Sequence, residues 1–189
     1  MTHESDGIFI KNALWNIGAR MTKALKLMFI DSDVAFSNAH WLEETSKQLD
    51  SFKVVQPFSE IWWSEELAND EHKYFSASLG KSLANALKTG QRVNIRIHAP
   101  GYALSMKRSF FDSIIGIDVL PSNGSDAWFW LKNLPPCVVV KSSLEVPLLG
   151  SDYSYALDPD DVSYANNIAF HIRHGSLIGR KYHETLMLN

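Results

Sequence analysis

Residues 25–33, with the sequence LKLMFIDSD, decide which fold the chain can adopt. Residues 25–30 form a mostly apolar run of the length of a short buried strand, and this run ends abruptly in Asp31-Ser32-Asp33. Strands of parallel and mixed α/β sheets end in this way at their carboxyl ends, where such sheets bind ligands. The stretch therefore predicts a buried strand that presents two carboxylates where it ends.

The segments on either side alternate between helical and extended patterns. Apolar residues recur at helical spacing over residues 9–24, and Ser37 and Asn38 are N-cap candidates for a helix that runs through Leu49. Further strands and helices are predicted in the same way, at residues 53–56, 92–98, 102–114, 124–131 and 137–140. This alternation predicts an α/β fold in which helices flank a mixed sheet.

Two long segments fit the alternation less well. Residues 59–90 contain a tryptophan pair, an acidic run and a stretch rich in Ser, Ala and Lys, so a lid or insertion is expected there. Residues 141–165 have the composition of a loop-rich excursion. We expect residues 1–189 to form a single domain that includes both segments.

Composition and charge narrow the classes of protein to which the chain can belong. With a formal net charge of −3, the chain has no overall positive electrostatic field that would attract nucleic acid. Cys137 is the single cysteine, which excludes an internal disulfide and a thiolate metal cluster. No apolar stretch is long enough to cross a bilayer, and residues 1–7 lack the apolar core of a signal peptide. We therefore expect a cytoplasmic protein with no nucleic-acid partner and no transmembrane segment.

The Asp31-Ser32-Asp33 triplet has two interpretations. Its two carboxylates can offer hard oxygen ligands to Mn²⁺ or Mg²⁺, and such an ion neutralises a diphosphate leaving group. Alternatively, the triplet is a solvated turn that ends the strand. Taken alone, the triplet favours the turn, because two aspartates separated by one residue are common by chance.

Two histidines near the C-terminus offer further metal ligands. His171 and His174 stand three residues apart, so a helical turn would let both imidazoles reach the ion that Asp33 binds. Arg180 follows them in the sequence, and its guanidinium group could bind the oxygens of a phosphate. Taken alone, paired histidines are more often surface residues or core hydrogen-bond partners, and a basic cluster is more often a solvated face.

Two other positions could take part in chemistry. Asp126 lies in the first turn of a predicted helix, where it is either a general base or a carboxylate that stabilises the helix dipole. Gly101 lies in the turn formed by residues 98–102, where the absence of a side chain lets the backbone approach a ligand closely.

In these segments the chain resembles the GT-A glycosyltransferases, in particular the family-2-like and galactosyltransferase-like enzymes of phages and bacteria. Six segments carry the resemblance in the order expected of that family, at residues 11–18 (KNALWNIG), 27–34 (LMFIDSDV), 41–58, 98–111, 124–126 (GSD) and 171–182 (HIRHGSLIGRKY). Ser125 departs from the family pattern, which has an acidic residue there in many members.

The resemblance implies a role for each matched residue. Asp33, His171 and His174 would hold Mn²⁺ or Mg²⁺, and Asp126 would be the base of an inverting displacement. Contacts to a nucleotide-sugar donor, expected to be UDP-linked, would come from Asp31, Asn16, Gly101 and Arg180. The implied reaction is metal-dependent transfer of the sugar to a hydroxyl of a glycan or another acceptor.

The resemblance also implies that the domain is truncated at its N-terminus. A GT-A domain normally begins with a βαβ portion that binds the nucleotide. Here residues 1–10 occupy the corresponding position in the sequence. Two alternatives therefore stay open beside the transferase, namely a non-catalytic carbohydrate- or partner-binding remnant and a metal-dependent phosphohydrolase. Apolar surface left open by the missing portion would favour a homo-oligomer or a partner chain.

Overall fold

The computed structural model describes residues 11–64, 74–94, 98–118, 125–134, 139–140 and 156–172. The helices in these ranges are α1 (Lys11–Met21), α2 (Trp41–Gln48), α3 (Leu79–Thr89), α4 (Arg108–Ser113) and α5 (Ser125–Asn133), with a 3-10 turn at Pro159–Asp161. The strands are β1 (Lys26–Ile30), β2 (Val34–Phe36), β3 (Val54–Gln56), β4 (Glu60–Ser64), β5 (Tyr74–Ala77), β6 (Val93–Asn94), β7 (Ala103–Lys107), β8 (Val139–Val140), β9 (Val162–Tyr164) and β10 (Ile168–Ile172).

The first sheet has the strand order β1-β7-β3-β9. β7 runs antiparallel to both of its neighbours, β1 and β3, whereas β3 and β9 are parallel. Leu27 and Phe29 of β1 face the main core, and the flanking residues of the strand are only half-buried. The strand predicted from residues 25–33 is therefore present, but among the described strands it lies at one edge of its sheet.

The second sheet has the order β2-β10-β4-β5 and is also mixed. β10 pairs parallel to β4 and antiparallel to β2, and β4 pairs antiparallel to β5. β6 and β8 form a separate parallel pair. The described chain is thus a mixed α/β structure with two mixed sheets flanked by helices. The α/β class agrees with the prediction, whereas the division into two sheets was not predicted.

The main core lies between the first sheet and helices α1, α3, α4 and α5. Trp130 and Phe129 of α5 are buried there with Leu83 of α3 and Phe111 of α4. A smaller core beneath the second sheet contains Phe58, Ile61, Ala99, Ala103 and Ala169. Because Ala103 begins β7 of the first sheet, the smaller core reaches the start of that strand.

Several expectations about single elements need correction. The second helix begins after His40 rather than at Ser37 or Asn38, whose polar groups instead contact Asn167. Of the possible lid or insertion at 59–90, the described residues 59–64 and 74–90 contribute β4 to the interior of the second sheet and α3 to the main core, and the acidic run at 65–73 lies outside the described residues. β9 and β10 fall in segments for which the sequence patterns predicted no strand. Within the described ranges, each helix is too short or too polar to traverse a lipid bilayer.

Candidate functional site

The site is built on the turn that follows β1. The backbone N–H of Asp31 donates to the carbonyl of Tyr102 at 2.8 Å, which extends the pairing of β1 with β7 by one residue. The N–H of Val34 then donates to the carbonyl of Asp31 at 3.2 Å and closes a tight turn around Ser32 and Asp33. The two carboxylates are therefore held by backbone hydrogen bonds at the junction of the two sheets.

Lys11, the first residue of α1, joins two of the aspartates that the sequence singled out. Its Nζ lies 2.7 Å from Oδ2 of Asp126 and 3.1 Å from Oδ1 of Asp31. The side chains are only 14% exposed for Lys11, 21% for Asp31 and 22% for Asp126. Nζ also lies 4.6 Å from the ring centroid of Trp15, so the aromatic face supports the same cation. One lysine thus brings together the end of β1 and the start of α5.

Burial and charge shape the ionisation of this group. Burial alone would lower the pKa of Lys11, but the charges of Asp126 and Asp31 outweigh it and raise the pKa above the usual 10.5. Burial raises the pKa of Asp31 above 3.8, even though the Lys11 charge acts in the opposite direction. Lys11 is consequently an ammonium at neutral pH, and Asp31 pays a desolvation penalty for its negative charge.

Asp126 reaches this position because Gly101 has no side chain. A Cβ on Gly101 would lie 2.9 Å from Cγ of Asp126, closer than real Cβ contacts come. Nearby, Nε1 of the fully buried Trp130 donates to the carbonyl of Pro100 at 2.8 Å and ties α5 to the same turn. The space predicted for a ligand at Gly101 is therefore filled by the Asp126 carboxylate.

The second part of the site pairs Asp33 with His171. Nε2 of His171 lies 3.1 Å from Oδ2 of Asp33, and both side chains are about one-fifth exposed (20% and 19%). The ring of Tyr102 meets the imidazole edge-on, with 5.2 Å between centroids. β10 pairs with β2 and sets His171 opposite Val34, which explains why residues so far apart in sequence meet here.

Asp33 and His171 are chemically suited to a divalent cation, because one supplies a carboxylate oxygen and the other an imidazole nitrogen. Among the described residues, no group of three or more His, Cys, Asp or Glu side chains could hold an ion. The third ligand expected, His174, lies outside the described residues. Two of the three expected ligands are thus adjacent.

The remaining expected donor contacts are Asn16 and Arg180. Nδ2 of Asn16 donates to the carbonyl of Ile117 at 2.6 Å, and Oδ1 accepts from the N–H of the same residue at 2.9 Å. Both polar atoms of the Asn16 amide therefore hold α1 against the segment that follows α4. Arg180 lies outside the described residues.

Lys11 is the site residue that sequence reasoning missed. It was part of the KNALWNIG segment, but a single lysine at the start of a helix has no local pattern that names its partners. Tyr102 was missed too, and its positive φ of 70° is a signal that only the backbone geometry carries.

Comparison with known proteins adds no family, since no protein-family model matches the chain and no curated protein is found to be similar to it.

Proposed function

We propose that the chain is a metal-dependent glycosyltransferase that moves a sugar from a nucleotide-sugar donor to an acceptor hydroxyl with inversion at the anomeric carbon. The observation that carries this proposal is the convergence of segments far apart in sequence on the end of β1. Lys11 joins Asp31 to Asp126, and Asp33 meets His171. A carboxylate pair held by a buried cation beside a carboxylate–imidazole pair offers both a base and metal ligands.

In this proposal each described residue has one task. Asp33 and His171, together with His174, hold Mn²⁺ or Mg²⁺, and the ion when bound stabilises the negative charge of the departing nucleoside diphosphate. Asp31 contacts the donor. Asp126 accepts the proton of the acceptor hydroxyl. Because the Lys11 hydrogen bond uses Oδ2 of Asp126, we assign Oδ1 as the oxygen that takes the proton.

The catalytic claim is tested by nucleotide release. The protein is incubated with Mn²⁺, a panel of nucleotide sugars that includes UDP-linked donors, and glycan acceptors. Asp126→Asn is expected to lower the rate by about 10²- to 10⁴-fold, the usual contribution of a general base. Asp112→Asn is the matched control, because Asp112 is 61% exposed and forms only a long ion pair with Arg108, at 3.9 Å, among the described residues. Equal rates in the two variants would remove Asp126 from the mechanism.

The metal claim has a separate test that needs no turnover. Calorimetric titration with Mn²⁺ is expected to lose most of its signal in Asp33→Ala and in His171→Ala. His40→Ala is the matched control, because His40 and Glu43 form another histidine–carboxylate pair, at 2.7 Å, that is about three-quarters exposed (74% and 77%). Unchanged affinity in both site variants would exclude these ligands.

One observation favours a second function, a non-catalytic carbohydrate-binding module. Lys11 lies 2.7 Å from Oδ2 of Asp126 and holds that carboxylate against the Gly101 turn, which is the arrangement of a structural ion pair. This alternative predicts glycan binding that Asp126→Asn leaves unchanged and no nucleotide release with any donor. Saturable binding of a nucleotide sugar followed by turnover would decide for the transferase.

A further inference from the structure

Tyr102 has an unusual backbone conformation. Its φ angle is 70°, and the N–H of Ala103 donates across it to the carbonyl of Gly101 at 2.9 Å. A hydrogen bond that spans one residue with a positive φ is the pattern of the classic γ-turn, which is rare and strained. The Cβ of a tyrosine crowds the backbone in this region, whereas a glycine has none. The chain therefore keeps a bulky residue at a position that glycine would occupy with less strain.

The end of a helix does not explain this conformation. Ile115 is the other non-glycine residue with a positive φ among the described residues, and it comes just after the end of α4. Helices commonly end with a left-handed residue at that position. The side chain of Ile115 is also 83% exposed, whereas Tyr102 is half-buried and precedes a strand. What distinguishes Tyr102 is the set of contacts that its side chain makes.

The positive φ changes the direction in which the Tyr102 side chain points. Side chains alternate between the two faces of a strand, and Leu104 and Met106 of β7 both lie in the main core. An extended backbone through residue 102 would direct its ring toward that same core. Instead the ring packs against the smaller core, to which Ala103 belongs. The turn therefore places the ring on the side of the second sheet.

In this position the ring of Tyr102 supports His171. Its centroid lies 5.2 Å from that of the imidazole with 64° between the planes, an edge-to-face arrangement that aromatic pairs favour. Nε2 of His171 lies 3.1 Å from Oδ2 of Asp33, and it is the donor because an ionised carboxylate only accepts. Nδ1 is buried and has no hydrogen-bond partner among the described residues. Asp33 thus fixes one nitrogen, and the ring of Tyr102 restrains the rotation of the imidazole about that contact.

The backbone of the same turn contacts the other part of the candidate site. The carbonyl of Tyr102 accepts from the N–H of Asp31 at 2.8 Å. Gly101 lies directly against the carboxylate of Asp126. The strained turn therefore fixes the Lys11-linked carboxylates through its backbone and the histidine through its one aromatic ring.

We propose that Tyr102 is a positioning residue that holds the imidazole of His171 in the orientation in which Nε2 faces Asp33. The proposal rests on the proposed function in one respect, namely that Asp33 and His171 hold a metal ion. A metal-binding histidine is usually oriented by a hydrogen bond from its second nitrogen, and loss of that partner lowers metal affinity by about 10- to 100-fold. Because Nδ1 has no such partner in the described part of the chain, an aromatic ring takes this role here. The strain at residue 102 is the consequence of placing the ring there.

The orientation of His171 is measured without metal, by NMR of protein labelled with ¹⁵N in its histidine rings. The Nε2–H signal of His171, assigned by its loss in His171→Ala, is expected to exchange slowly with water at pH 7. Tyr102→Leu removes the aromatic ring and is expected to speed this exchange by about tenfold or more. Tyr102→Phe keeps the ring and is expected to retain the slow exchange. Tyr102→Asn, which tolerates a positive φ, is expected to behave as Tyr102→Leu does.

Phe36→Leu is the matched control for this measurement. Phe36 is also a half-buried aromatic residue that packs against the smaller core, but its ring stacks on Trp41, 4.2 Å away, rather than on the histidine. Thermal unfolding compares the stability of the two leucine variants. Equal exchange rates in Tyr102→Leu and Phe36→Leu, or fast exchange in Tyr102→Phe, overturn the proposal.

Titration with Mn²⁺ separates this proposal from the proposed function. Tyr102→Leu is expected to bind Mn²⁺ about tenfold or more weakly than the parent, and Phe36→Leu is expected to bind as the parent does. A parent that binds no Mn²⁺ overturns the metal role of Asp33 and His171, and the exchange measurement then decides alone on Tyr102. Where the parent binds Mn²⁺, equal affinity in Tyr102→Leu overturns the positioning role.

Discussion

At the scale of single residues, Lys11 is the feature on which the candidate site depends. It places one positive charge between two carboxylates that are about four-fifths buried, and it donates a hydrogen bond to each. Burying charges is costly unless each one finds a partner, so removing the lysine leaves two carboxylates that repel each other. The same contact holds the start of α5 against the end of β1.

Lys11→Met is therefore expected to lower the free energy of unfolding by about 1–3 kcal/mol at pH 7. Because the pKa of Lys11 is raised above 10.5, this stabilisation is complete below pH 10.5 and is lost as the pH rises through the higher folded-state value. Urea unfolding measures the effect. Lys81→Met is the control, since Lys81 pairs with Glu60 and both side chains are more exposed, so it should cost less than about 1 kcal/mol. Equal losses of unfolding free energy in Lys11→Met and Lys81→Met would contradict the role assigned to Lys11.

Asp31 has the opposite relation to stability. Burial raises its pKa above 3.8, so the ionised form is less favourable in the folded chain than in the unfolded one. Asp31→Asn is expected to unfold at a higher temperature than the parent at pH 7. This difference should shrink as the pH falls through the folded-state pKa, and it should be absent below 3.8. A parent that gains no stability relative to Asp31→Asn on acidification would refute the assignment.

At the scale of elements, helix α1 is positioned by polar contacts in addition to the packing of Trp15 and Ala19 against the main core. Asn12 and Asn16 bind backbone groups of residues 117–118, and Arg108 donates to the carbonyls of Ala19 and Thr22 at the end of the helix. Arg108 thus satisfies carbonyls that have no partner within the helix. These contacts hold α1 in the orientation that directs Lys11 into the site.

Helix α5 is positioned by the close approach of Asp126 to Gly101. Gly101→Ala is expected to push Asp126 away from Lys11 and to lower the free energy of unfolding by about 1–3 kcal/mol, the usual cost of an inserted methyl group. Gly18→Ala is the matched control, since a Cβ there meets nothing within 4 Å and a helical alanine should add about 0.5–1 kcal/mol. Chemical denaturation measures the free energy of unfolding of both variants. A Gly101→Ala protein as stable as the parent would show that the position of α5 does not depend on the close contact between Asp126 and Gly101.

At the scale of the whole molecule, Gln56 connects the two sheets. It belongs to β3 of the first sheet, and its fully buried side chain donates to the Ala99 carbonyl at 3.0 Å and accepts from the Gly80 N–H at 2.7 Å. Ala99 lies in the smaller core beneath the second sheet, and Gly80 lies in the first turn of α3. One amide therefore links the first sheet to the second and to a helix of the main core.

Gln56→Leu is expected to lower the free energy of unfolding by about 1–3 kcal/mol, because the buried Gly80 N–H loses its partner. Thermal and urea unfolding should both register the loss as a shift of the whole transition. Gln48→Leu is the matched control, since Gln48 is half-buried and its side-chain carbonyl accepts from the Ser163 hydroxyl, so its loss should cost less than about 1 kcal/mol. A Gln56→Leu protein as stable as this control would rule out the link.

The sequence by itself determined the features that have a local physical cause. Three features could be predicted from the sequence: the helix before residue 25, the apolar run of β1 and the aspartates that end this strand. They could be predicted because hydrophobic periodicity and the polar residues that end a strand are patterns of neighbouring positions in the sequence. The strands at 54–56 and 103–107 and the helix at 125–133 were predicted on the same grounds, with boundaries displaced by a few residues.

The tertiary structure alone decided which strands pair and which side chains meet. The sequence of β10 shows no marked alternation of polar and apolar residues. It nevertheless lies inside the second sheet, because β2 and β4 pair with it on its two sides. The partners of Lys11 stand 20 and 115 residues away, and Asp33 and His171 are 138 residues apart. Hydrogen bonds and ion pairs between distant segments leave no local pattern, because they form only once the chain has folded and buried both groups.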